Sequence, residues 1–151
     1  MKFTAFCSLF FSAFTLPALT VVKDGKSDYV IVVSPKAEKA AHAAAADLQE
    51  YIFKATGAKL PKVRENMVGK RPAFRVGYIK VDTPEGFVIK VREKDIHISG
   101  NDTPGDPYNN HWAFGSRVGT WYGACDFLER FLGVRWYMPG PLGEYVPKTS
   151  T

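Results

Sequence analysis

The sequence predicts one domain of the α+β class, on three observations. Val30-Ile31-Val32-Val33 is a continuous β-branched run, too uniformly apolar to be half exposed, so it reads as a central strand covered on both faces. An alanine-rich helical stripe follows, and then the alternating segment Ala73-Phe74-Arg75-Val76-Gly77-Tyr78, which gives the strand, helix, strand order of a crossover unit. Further on, two alternating segments flank a short polar turn, the pattern of a β-hairpin.

In chain order, the first element is a leader. Lys2 precedes the apolar run from Phe3 to Phe14, Pro17 breaks it, and the small residues Ala18 and Thr20 sit two apart before Val21. That is the layout of an export signal cleaved after Thr20, which places the protein in a secreted or periplasmic setting. The rival reading is an uncleaved anchor running through to Val22, which Pro17 and the weak flanking charge oppose. A lipoprotein use of Cys7 fails because bulky Phe6 directly precedes it and little apolar sequence lies upstream.

After the first strand, Ser34-Pro35 reads as a helix start, with Ser as the cap and Pro in the first turn. Ala37, Ala41, Ala44, Leu48, Tyr51 or Ile52, and Ala55 recur at helical spacing until Gly57 stops the helix. Lys59 to Arg71 is broken by Pro61, Glu65, Met67 and Gly69 and reads as a solvated connection to the Ala73 strand. Gly86–Arg92 and Asp95–Gly100 form the hairpin around Glu93-Lys94, with His97 between Ile96 and Ile98 and therefore on the opposite, more polar strand face.

Asn101 to Ser116, rich in Gly, Pro and Asn, is a loop that carries Tyr108, His111, Trp112 and Phe114. Val118, Trp121 or Tyr122, Cys125, Leu128 and Leu132 make a second helical stripe that ends at Gly133. Gly119 and Gly123 on it suit close packing against a sheet. Val134–Met138 is a final strand with Trp136 toward the core and Arg135 away from it. Gly143–Pro147 is a last extended piece, and residues 148–151 read as a tail or the start of a linker.

Composition narrows the function. With 46% hydrophobic and 23% charged residues the chain is globular in character, and residues 21–147 make one ordinary domain. The formal charge of +5 comes from Lys and Arg spread along the chain, without the clustering of a nucleic-acid footprint. Cys125 alone remains after leader removal, so no internal disulfide is available, and its apolar neighbours suit a small hydrophobe better than a nucleophile. His42, His97 and His111 lie far apart, and Ala43 follows His42 where a zinc-protease helix needs Glu. Asp126 and Glu129 are neighbours on a helix surface and read as solvated charges. No metal, cofactor or catalytic residue is expected. Binding chemistry concentrates between Asn101 and Trp121, where Trp112, Arg117 and Trp121 suit stacking on a sugar and hydrogen bonding to it, although Trp112 and Phe114 equally suit pinning the loop to the core.

The motifs also carry a resemblance. Pro35 with Ala40-Ala41, Asp47-Leu48-Gln49-Glu50-Tyr51-Ile52 and Lys54-Ala55-Thr56-Gly57-Ala58-Lys59-Leu60-Pro61 come first, and far downstream stand Gly119-Thr120-Trp121-Tyr122-Gly123-Ala124-Cys125-Asp126-Phe127-Leu128-Glu129 and Leu132-Gly133-Val134-Arg135-Trp136-Tyr137-Met138-Pro139-Gly140. In that order they resemble the N-terminal domain that precedes the catalytic barrel in family 67 α-glucuronidases, and are similar to the second domain of family 20 β-hexosaminidases. The resemblance spans nearly all of the chain after the leader. It implies a mixed sheet with two main helices packed on one face, distantly like zinc proteases without their metal site. It also implies a non-catalytic partner to a (β/α)8 barrel in cis, because the acid and base carboxylates of those enzymes lie in the barrel. The expectation is an accessory domain of an exported glycoside hydrolase, with no membrane contact after leader cleavage and no nucleic-acid partner. A free-standing carbohydrate-binding module and a ligand-free protein-interaction domain are the alternatives.

Overall fold

The computed structural model describes residues 19–109 and 116–149. The expected export leader, its apolar run and Cys7 lie outside the described residues, apart from Leu19 and Thr20, and so do His111, Trp112 and Phe114. Among the described residues no helix is long and apolar enough to cross a membrane.

The fold is α+β, a five-stranded mixed sheet with two helices. Strands β1 (Val30–Val33), β2 (Lys62–Val63), β3 (Ala73–Val76), β4 (Phe87–Arg92) and β5 (Asp95–Gly100) lie in the order β2-β1-β3-β5-β4. β1 pairs in parallel with β2 and β3, β3 in parallel with β5, and β4 closes the far edge antiparallel to β5. β1 is internal as expected, with Ile31 and Val32 fully buried, although β3 holds the middle place.

Helices α1 (Lys39–Thr56) and α2 (Gly119–Phe127) cover one face of the sheet. Ile31, Phe74, Val76, Ile96 and Ile98 point into a core shared with Ala41, Ala44, Leu48 and Ile52 of α1 and with Ala124 and Phe127 of α2. The residues between them on the strands face the other way. There Val30, Val32 and Ala73 pack beneath Val68, while Arg75 and His97 stand on the more polar half.

Four expectations are corrected. α1 begins at Lys39 because Ser34 to Ala37 closes a separate turn, with the Ala37 N–H donating to the Ser34 carbonyl at 3.0 Å. The Lys59–Arg71 connection holds an edge strand: the Ile31 N–H donates to the Pro61 carbonyl at 2.9 Å and draws Lys62 and Val63 alongside β1, after which Glu65–Met67 forms a 3-10 turn. The second helix buries Thr120, Gly123, Ala124, Phe127 and Leu128, while Cys125 and Leu132 are only half-buried. Finally, Val134–Met138 contributes only β6 (Arg135–Trp136), which pairs with β7 (Glu144–Tyr145) as a separate ribbon outside the main sheet.

Both glycine stops are in place. Gly57 and Gly133 adopt φ of 80° and 72°, left-handed values that carry no Cβ penalty only in glycine. Before Gly133 the helix loosens into a π turn over Leu128–Leu132. Lys148 and Thr149, where the tail was expected, bond to the end of α1: Lys148 Nζ to the Lys54 carbonyl at 2.6 Å and the Thr149 N–H to the Ala55 carbonyl at 3.0 Å.

Candidate functional site

Two regions combine exposed apolar surface with defined geometry. The first joins α1 and α2 to the loop after β5. Asp47 sits half-buried on α1, where its carboxylate accepts the Trp121 indole N–H at 2.6 Å and the Tyr108 hydroxyl at 3.1 Å. Trp121 and Tyr108 meet in a T-shaped arrangement with centroids 5.7 Å apart, and Trp121 stacks on Tyr122 at 6.2 Å. The outer two rings are open to solvent, Tyr108 at 61% and Tyr122 at 44%. The result is an aromatic ledge backed by one carboxylate.

Burial dominates the electrostatics of this ledge. It raises the Asp47 carboxyl above its ordinary value against the lowering effect of the Trp121 and Tyr108 donors. The Tyr108 hydroxyl is raised by burial and by the Asp47 charge. The Cys125 thiol is pushed up to about 12 by burial first and by Asp47 and Glu129 next, which leaves it protonated and a poor nucleophile at neutral pH.

Of the expected ligand residues, Trp121 is central to the ledge and Trp112 lies outside the described residues. Arg117 stands just before α2: its N–H donates to Thr103 Oγ1 at 2.7 Å and its carbonyl accepts the Thr103 N–H at 2.9 Å. Its Nε is buried and has no hydrogen-bond partner among the described residues. Asp47 was missed in the sequence. Its signal was an acidic residue at the border of an alanine stripe, which is indistinguishable from a solvated helix charge until α2 is placed beside it.

The start of α2 is tied to two other segments of the chain. Asp102 accepts the Thr120 N–H at 2.8 Å and Glu85 accepts the Val118 N–H at 3.2 Å, so carboxylates from two other segments serve the first-turn donors. The buried Thr120 hydroxyl in turn accepts the Gly100 N–H at 2.8 Å.

The second region is a groove of about 530 Å³ beside the C-terminal ends of α1 and α2. Ile52 of α1, Ile89 and Val91 of β4, Ile96 of β5, and Phe127 and Phe131 form its walls, and Leu19 to Val22 and Thr149 lie along its margin. Val91 is 55% and Phe131 66% exposed. Its polar lining consists of threonines, so it offers apolar contact rather than charge recognition.

On the outer sheet face, Arg75 pairs with Asp95 at 2.6 Å and with Glu65 at 2.8 Å, and Tyr78 donates to Glu65. His97 is 9% exposed, and burial lowers its pKa, assisted by Arg92 and Arg75. Among the described residues no group of three or more His, Cys, Asp or Glu is placed to hold a metal ion. No family model matches the chain, and no curated protein matches it.

Proposed function

We propose that this chain is the non-catalytic accessory domain of an exported carbohydrate-active hydrolase, packing against a catalytic (β/α)8 barrel in the same polypeptide. The observation that carries the reading is the apolar groove: exposed Val91 and Phe131 beside Ile52, Ile89 and Ile96 make a surface that gains by being covered. The mixed sheet with both helices on one face agrees with the β-hexosaminidase domain 2-like arrangement that the resemblance implies, and the finer fold assignment belongs to the same proposal. The export leader supplies its location.

The test is the reading frame beyond Thr151. Continuation into a barrel with paired carboxylates is expected. A stop codon at that point, with a stable soluble product, overturns the reading.

The aromatic ledge favours a second reading, a carbohydrate-binding module. Tyr108 and Tyr122 flank Trp121 as faces on which a pyranose stacks, and a carboxylate stands behind them. This version expects glycan binding by calorimetry that is lost in Tyr108→Ala or Tyr122→Ala, the two exposed rings of the ledge. Absence of heat across a glycan panel sinks it.

A further inference from the structure

Among the described residues the groove adjoins an open sheet edge, where β4, six residues long, is the last strand on its side. In its antiparallel pairing with β5, alternate residues bond inward and the rest turn their N–H and C=O groups outward. The Asn101 N–H bonds the Gly86 carbonyl at 2.9 Å, which assigns Gly86, Val88, Lys90 and Arg92 to the inward set. Phe87, Ile89 and Val91 therefore present their backbone groups at the edge, and the side chains of Ile89 and Val91 line the groove. On the other face of the same strand Lys90 and Arg92 are exposed.

We infer that β4 is a docking edge for an extended polypeptide strand that alternates apolar and acidic residues. Residues directly opposite in paired strands share a face. The apolar residues of the added strand lie beside Phe87, Ile89 and Val91 and extend the groove, and its acidic residues lie opposite Val88, Lys90 and Arg92. Charge selects the partner. A second copy of β4 would bring its own Lys90 and Arg92 to the same edge, and cationic edge residues are a common guard against such self-pairing. An acidic strand turns the guard into attraction. The inference rests on the groove being a docking face, as the accessory-domain reading has it, and adds the partner's backbone form and charge.

The experiment uses isotope-labelled protein and two synthetic peptides, one alternating valine with glutamate and one alternating valine with lysine. The glutamate peptide is expected to shift the amide signals of Phe87, Ile89 and Val91 and to slow their hydrogen exchange, with little effect from the lysine peptide. Lys90→Glu combined with Arg92→Glu, both exposed and remote from the core, is expected to weaken glutamate-peptide binding about tenfold or more and to reverse the preference. Equal binding of both peptides overturns the proposal. So do shifts at Phe131 without protection of the β4 amides, absence of binding to either peptide, and protection that grows with protein concentration alone, which assigns the edge to a second copy. A stop codon after Thr151 overturns the accessory-domain reading and leaves a positive peptide result standing.

Discussion

Asp47 shows how a single carboxylate organises two helices and a loop. Trp121→Phe keeps an aromatic side chain, though a smaller one, and removes the indole donor, leaving a half-buried carboxylate oxygen without that bond. The expected loss is about 1–2 kcal/mol in denaturant unfolding, the usual cost of a buried acceptor left unsatisfied. Asp47→Asn tests the charge itself. Because burial raises this carboxyl in the folded chain, the fold holds that proton more tightly than the unfolded chain does. Its contribution is full below the ordinary carboxylate range and is lost as pH rises through the raised value. Unfolding measured on both sides of that range is expected to show a smaller fall in stability with rising pH in Asp47→Asn than in the parent. An unchanged slope would count against the assignment.

The elements differ in how openly their sequence declares them. α1 announces itself because its buried positions are alanines and aliphatics at helical spacing and Gly57 stops it. The β4–β5 hairpin is equally open, since alternation and the Glu93-Lys94 turn fix its register, with Arg92 opposite Asp95. α2 is harder to read. Its first turn lies backbone to backbone on the sheet: a Cβ on Gly119 would stand 2.5 Å from the Gly86 carbonyl oxygen, and one on Gly100 would collide with the Gly119–Thr120 peptide. The contact face is therefore built of Gly119, Thr120, Gly123 and Ala124, and a stripe drawn through the larger residues Trp121 and Cys125 is turned by about one residue, roughly 100°. β2 is hidden for another reason, since two residues among prolines and charges carry no alternation. Gly119→Ala is expected to cost about 1–3 kcal/mol, as overpacking does. Gly123→Ala should cost less, because its Cβ would meet the Ile98 and Phe87 side chains at 3.1–3.2 Å and those can yield. Thermal melts of the two variants would check the order, and equal midpoints would contradict it.

At the scale of the whole molecule, the β6–β7 ribbon is fastened to α1 by one polar cluster. Glu144 accepts Lys54 at 2.8 Å and the Tyr51 hydroxyl at 3.1 Å, and Tyr51 accepts the Trp136 indole N–H at 3.0 Å. The Lys54 bond leads in holding the Glu144 carboxyl below its ordinary value. Its contribution is present above the ordinary carboxylate range and is lost as pH falls through the depressed folded value. Limited proteolysis between Tyr137 and Gly143 should accelerate in acid for the parent and be fast at neutral pH in Glu144→Gln. A variant cut no faster than the parent at neutral pH would show that packing of Trp136 on Tyr51, with centroids 5.1 Å apart, suffices.

Val21, Val22 and Thr149 border the same groove, and Thr149 is held to α1 by bonds to Ala55. A pull applied between these two points would therefore load the groove margin before the sheet. The Lys148–Thr149 segment would peel from the end of α1 first, one or two bonds at a time, while the β1–β3 and β3–β5 pairings kept their register. Ile31, Phe74 and Ile98 are enclosed in the core while this margin is open, so a partner seated in the groove would also clamp the two chain segments that border it.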